Sequence, residues 1–410
     1  MSTDSRLLVA CAALTCAVLV CLPLTGRAHP DAARFARPDS IAGDSTDTTS
    51  KQTVTVTVEA GPEGFSLRSE DGQFAFRLSG LLQSDARFIA SESSVPDRFF
   101  LRRVRPITGA TLFGTFDVRL MPEFGQGGAG VQDAYLNARL TPSLNVQAGK
   151  FKVPVGLELL QSSTNLTFIP RASAAGAVPG RDVGLMLHGT VLEGRLDYQV
   201  GVFNGTPDGQ SRDSDSDDGK DVAGRLFAHL LQGDDAPTLG VGMGGAVGQE
   251  HGTTRRPELP TYGTRLGRQS FFRYASGTVS DGARWRLAPQ AYLFQGPAGL
   301  IAEFVATRQA VRLGGDEASF VHQAWNVTGS YVLTGEDATY GRVHPSEPFN
   351  GEDQWGAVEL AARVHGTHID DDVIPQFVPT TTSSAVAWGL GINWHLNRNV
   401  RFVLNYEQTH

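Results

Sequence analysis

The sequence predicts an all-β chain closed into an antiparallel barrel that spans a membrane, on three observations. Segments of about ten residues alternate apolar and polar side chains from Phe74 to Tyr406, separated by Gly, Pro, Asn and Asp turns. The only cysteines, Cys11, Cys16 and Cys21, stand before residue 22, so the rest of the chain can form no disulfide. After that point no apolar stretch reaches 18 residues, which argues against spanning helices and leaves strands that put every second residue in lipid.

The N-terminus begins with Arg6, continues as an apolar run from Leu7 to Leu24 and ends in Gly26-Arg27-Ala28. A basic start, a hydrophobic centre and small residues at the end predict a cleaved export signal over 1–28; an anchoring helix is the alternative. Those residues carry Arg6, Arg27 and Asp4, so their removal turns 35 basic and 43 acidic residues into 33 and 42. An acidic balance of this size excludes a nucleic-acid binder of the usual basic kind. Residues 29–70 read as a polar extension in which only Val54-Thr55-Val56-Thr57-Val58 alternates. Residues 71–410 form the barrel.

The first clear strand, Phe74 to Phe88, puts Phe74, Phe76, Leu78 and Leu82 on one face and Arg77, Gln83, Asp85 and Arg87 on the other. Charges on the second face suit a wet lumen and not a dry core. Further strands are expected at 99–112, 115–123, 131–140, 144–151, 183–192, 195–203, 221–232 and 238–248. Six more are expected at 284–295, 300–311, 320–333, 354–365, 385–396 and 400–409. That makes fifteen, an odd number, whereas bacterial barrels of this kind are even. The expectation is sixteen strands in the complete protein, with the closing one missing after His410; a true fifteen-stranded wall or closure by N-terminal residues are the alternatives.

Short connections at 141–143, 193–194, 296–299 and 397–399 contrast with long ones at 153–182, 204–220, 249–283, 334–353 and 366–384, as expected for a barrel with one tight and one looped end. Phe99-Phe100, Phe271-Phe272, Trp285, Trp355 and Trp394 are placed for headgroup girdles.

The chemistry concentrates in basic residues. Arg102, Arg103 and Arg105 crowd one strand, and strict alternation cannot turn both members of the Arg102–Arg103 pair inward. Either a bulge redirects one or one snorkels to the membrane edge. Inward guanidinium groups would offer hydrogen-bond forks to anions, or would pair with lumen acids such as Asp117, Glu123 or Asp133. Lys150 and Lys152 share a face, expected to be the lumen, with Phe151 opposite toward lipid. The long segment from Val153 to Arg181 carries Arg171 and closes with Pro179-Gly180-Arg181-Asp182; folded inward, it would narrow the passage, and simple pairing of Arg181 with Asp182 is the alternative. The acidic run from Asp208 to Asp221 lacks the Gly and Glu placement of a calcium loop and reads as a solvated surface. HExxH, GxSxG, Walker and CxxC patterns are absent, so no metal, cofactor or catalytic residue is expected.

The strand from Phe100 to Arg105, Gly149-Lys-Phe-Lys-Val-Pro-Val-Gly156, Leu166-Thr-Phe168, Pro179-Gly-Arg-Asp-Val-Gly184, Gly224-Arg-Leu-Phe227, Leu287-Ala-Pro-Gln-Ala-Tyr292 and the Asn393-to-Tyr406 segment together resemble the phosphate-selective porin family. The likeness covers about residues 70–410. It implies a trimeric, sixteen-stranded porin of the bacterial outer membrane, with inward-folding loops and a lumen lined by Arg and Lys that passes phosphate, polyphosphate or other small anions. Arg102 and Arg103 occupy the position of the family's paired arginines; Lys150 and Lys152 fall on its lysine-lined path. A general diffusion porin, or a surface barrel that transports nothing, are the other readings.

Overall fold

In the computed structural model the described residues are 55–89, 96–215, 217–232, 237–372, 375–378 and 382–410, together with the backbone of 15–18. The expected leader and polar extension lie mostly outside them.

Fifteen long strands build the wall among the described residues, matching the sequence expectation to within a few residues at most ends. Preceding them are β1 (Thr15–Val18), β2 (Val56–Gly61) and β3 (Gly64–Ser69). The wall starts with β4 (Ala75–Arg87), β5 (Arg98–Leu112), β6 (Phe116–Glu123), β7 (Gly130–Thr141), β8 (Leu144–Lys152), β9 (Arg181–Val191) and β10 (Leu196–Phe203). It continues with β11 (Asp221–Leu231) and β12 (Thr238–His251), and the small hairpin β13 (Tyr262–Gly263) and β14 (Ser270–Phe272) interrupts it. The remainder is β15 (Val279–Gln295), β16 (Ala298–Leu313), β17 (Asp316–Val332), β18 (Ala357–His368), β19 (Ser384–His395) and β20 (Val400–Thr409).

Each wall strand pairs antiparallel with the next, as hydrocarbon demands of backbone groups that have no water to bond. Between β20 and β4 stands β1, with Thr15–Val18 against Val400–Val403 on one side and residues 16–18 against 82–84 on the other. The place of a sixteenth wall strand is thus taken in part by N-terminal backbone. The alternating segment near Val56 does become a strand: β2 pairs with β3, and β3 pairs with the lower part of β4.

Burial follows the period of two. Along β19, Ala387, Gly389, Gly391 and Asn393 are buried while Trp388, Leu390 and Ile392 are exposed to the outside. Trp355, Trp394 and Phe402 form a rim at the short-turn end, with Trp394 6.4 Å from Trp355 and 5.9 Å from Phe402. Phe272 is not part of a girdle. It is fully buried among Tyr262, Tyr274 and His322, because the loop that carries it turns into the barrel.

One connection is on the other side from that expected. The Gly314-Gly315 turn lies at the looped end, so the segment between β17 and β18 belongs to the short-turn end. Its Ala338 N–H donates to Gly296 at 2.8 Å and its Phe349 N–H to Leu396 at 2.7 Å, both in tight turns of that end. From there it climbs into the lumen and buries Ala338 and Val343 against Phe294, Ile301 and Val332.

Candidate functional site

The paired arginines are resolved by a bulge. Gln83 faces Arg103 and Ser84 faces Leu101, so Arg102 is the extra residue on β5. One added residue shifts the phase, and Arg102, Arg103 and Arg105 all leave the lipid face while Leu101 stays on it. Arg102 is ion-paired with buried Asp85, and Arg103 donates to Gln83. Arg105 pairs with Glu123 at 2.5 Å and reaches the Ser163 hydroxyl at 3.3 Å.

Opposite this arginine wall, the segment between β8 and β9 folds into the lumen, as the sequence allowed. Its short helix α1 (Leu157–Leu160) starts where the Glu303 carboxylate of β16 accepts the N–H groups of Leu157 at 2.7 Å and Glu158 at 3.2 Å. Farther along, Arg401 donates to Leu166 O, Asn393 to Thr167 O and Arg363 to Pro170 O, while Asn405 accepts the Ile169 N–H. Polar groups of β16 and β18–β20 therefore hold the loop backbone, which a buried irregular segment requires. The basic wall β4–β9 faces what space remains.

The free end of α1 is closed by basic side chains. Lys152 Nζ donates to Leu160 O and Gln161 O, each at 2.9 Å, and Arg171 donates to Glu158 O at 2.8 Å and Gln161 O at 2.6 Å. Arg265, from the second inward segment between β12 and β15, donates to Arg171 O at 2.9 Å. Arg103, Lys152, Arg171 and Arg265 form no ion pair among the described residues. Burial, with repulsion from Arg181 and Arg105 partly offset by Glu158, pushes the Arg171 guanidinium down to about 10, so it stays charged at neutral pH.

Three sequence expectations are corrected. Phe151 faces inward, 3% exposed, packed edge-on to Tyr135 at 6.1 Å and Phe203 at 5.5 Å. Lys150, one residue earlier, therefore points away from this cluster, donating to Val131 O at 2.7 Å and pairing with Asp213. Arg181 does not pair with Asp182: it binds Asp133 at 2.7 Å, and Asp182 accepts the N–H groups of Gly205 and Thr206. Nor is the acidic run wholly solvated, since Asp208 and Asp221 are buried on Arg286.

Below the inward loop lies a chamber of about 330 Å³, toward the short-turn end. Arg105, Arg119, Lys152 and Arg181 reach it, as do the loop hydroxyls of Ser162, Ser163 and Thr164. Arg119 bonds the second Asp133 oxygen at 3.2 Å and keeps 37% of its side chain exposed. Sequence reasoning missed Glu303, Arg265 and Tyr340, whose hydroxyl donates to Leu157 O at 2.6 Å. Each acts across more than 90 residues of chain, and no local pattern marks such a contact.

A closed sheet with an apolar outside and a charged interior narrowed by its own loops defines an outer-membrane channel. The chain belongs to the phosphate-selective porin O and P family, whose sequence profile matches residues 76–410. No curated protein sequence matches it. Among solved structures it is similar to the outer membrane channel DcaP of Acinetobacter baumannii, at 10% identity and TM-score 0.49 over 84% of this chain and 99% of that one. In-vitro folded OmpT, an outer membrane protein of Vibrio cholerae, is similar at 10% identity and TM-score 0.48, covering 82% and 98%. A BenF-like porin from Pseudomonas fluorescens Pf-5 is similar at 11% identity and TM-score 0.40, covering 99% and 98%.

Proposed function

We propose that this porin is an anion channel that passes phosphate or polyphosphate by diffusion, with no catalytic cycle. The observation that carries the reading is the proximity of Arg103 and Arg171, neither of them ion-paired to a carboxylate among the described residues. Guanidinium groups that spend their hydrogen bonds on neutral oxygens keep more of their positive field than groups locked in ion pairs. An anion entering from the looped end would exchange part of its water for these donors, then pass Arg105, Lys152 and Arg181 and the hydroxyls of Ser162–Thr164. Several moderate sites favour flux, because a single deep one would hold its ion. Arg102 and Lys150 take the role of holding the wall, each on its own acid.

Reversal potentials of the reconstituted channel in a potassium chloride gradient test this reading. Anion selectivity, with chloride current blocked by added phosphate, supports it; cation selectivity overturns it. Pairing of Arg102, Arg105, Lys150 and Arg181 with Asp85, Glu123, Asp213 and Asp133 favours a second reading, a general diffusion porin, for which phosphate would not block. The proposal includes a homotrimer and removal of residues 1–28, which takes β1 out of the wall between β20 and β4. N-terminal sequencing of membrane-extracted protein distinguishes a chain starting at His29 from a wall that retains β1.

A further inference from the structure

We infer that the chamber under the inward loop selects organic anions with a compact apolar body over inorganic ones of the same head group; this rests on the anion reading above. The same 330 Å³ space that Arg105, Arg119 and Arg181 reach is lined on its other sides by Ile107, Met121, Tyr135, Phe151 and Met186. These are inward-facing positions of β5 to β9, where a lumen wall ordinarily presents polar groups to water. Met121, Phe151 and Met186, at 4%, 3% and 4% exposed, back this side, and half-buried Ile107 and Tyr135 open onto the space, which Asp133, Gln147, His188 and Gln199 also line.

A hydrated phosphate or chloride ion gains nothing from such a surface, and the water beside it is poorly bonded. An anion carrying a ring gains twice: its carboxylate or phosphate meets guanidinium groups, and its body removes Ile107 and Tyr135 surface from water. Thioether and aromatic edges also suit a flat guest, since sulfur and ring contacts adapt to its shape. The two linings meet at residue 119, where Arg119 Nη2 lies 3.8 Å from the Met121 sulfur. Head and body of a single small molecule can therefore be satisfied at once.

The full chain in planar bilayers tests this with benzoate against acetate and phenyl phosphate against inorganic phosphate, each titrated as a blocker of chloride current. The ring-bearing member of each pair is expected to half-block at roughly tenfold lower concentration, the effect of a partly buried ring. Met121→Gln and Ile107→Asn, which wet the apolar side, are each expected to narrow that gap. Equal half-blocking concentrations within both pairs in the wild-type channel, or a gap untouched by both variants, would overturn the inference. If a variant does not insert, the wild-type comparison decides alone. A channel that prefers anions yet shows no gap sinks this inference only, whereas one with no anion preference sinks the reading beneath it.

Discussion

The Glu303 carboxylate on β16 receives the Leu157 N–H at 2.7 Å, across 146 residues of sequence, and so fixes where the inward loop begins. The same carboxylate takes the Glu158 N–H, and Gly156 packs against it so closely that a Cβ there would come within 2.9 Å of its oxygen. Glu303→Ala would leave two buried donors without an acceptor, at about 1–3 kcal/mol each. The loop should then detach from β16, raising single-channel conductance and lowering anion selectivity. Glu303→Gln keeps one acceptor oxygen and should fall between. Conductance histograms of the three channels check the order.

Arg102 and Arg103 are adjacent but should respond differently. Removing Arg102 takes the paired cation from buried Asp85 and leaves it neutral partners such as the Gln83 amide, and losing one member of a buried ion pair costs about 3–5 kcal/mol. Arg102→Ala should therefore lower the temperature at which the folded barrel is lost on a gel. Arg103 sits on neutral Gln83, so Arg103→Ala should leave that temperature nearly unchanged and weaken phosphate block by about tenfold, or ~1.4 kcal/mol. Equal effects of the two substitutions on block would refute this division.

The alternation that placed Leu390 outside and Asn393 inside was legible because a strand with lipid on one face has only two phases to choose from. Alternation also exposed the conflict at Arg102 and Arg103, and the bulge resolved it. It failed at Lys150 and Phe151, where both phases put something acceptable inward and the choice was made by Tyr135, Phe203 and Met186 on other strands. The segment between β17 and β18 was misplaced for a related reason. A two-residue turn at Gly314-Gly315 on the looped end broke the rule that length tells the two ends apart.

Tyr340 links that misplaced segment to the constriction: its hydroxyl donates to Leu157 O, and its own carbonyl accepts from Gln161 at 2.8 Å. The short-turn end of the barrel thus braces the loop that enters from the other end. Tyr340→Phe removes one neutral hydrogen bond, worth about 1 kcal/mol, and keeps the ring stacked on Tyr292 at 5.4 Å. The expected result is noisier open-channel current at unchanged mean conductance. Trypsin cleavage within 153–180 should also quicken modestly.

Arg171 predicts how selectivity depends on pH. Its folded-state value of about 10 lies below that of an exposed guanidinium, because burial, and then the charges of Arg181 and Arg105, disfavour the protonated form. The sign follows directly: the positive charge is present at all pH values well below 10 and is lost as pH rises through it. Nothing about Arg171 titrates near neutrality, so its contribution to anion preference should be flat between pH 6 and 9 and fall above that range. Arg171→Gln holds no such charge at any pH. Its reversal potential should start lower and should fall less near pH 10 than that of the wild-type channel. Parallel curves for the two channels up to pH 11 would mean that Arg171 contributes no field to the passage.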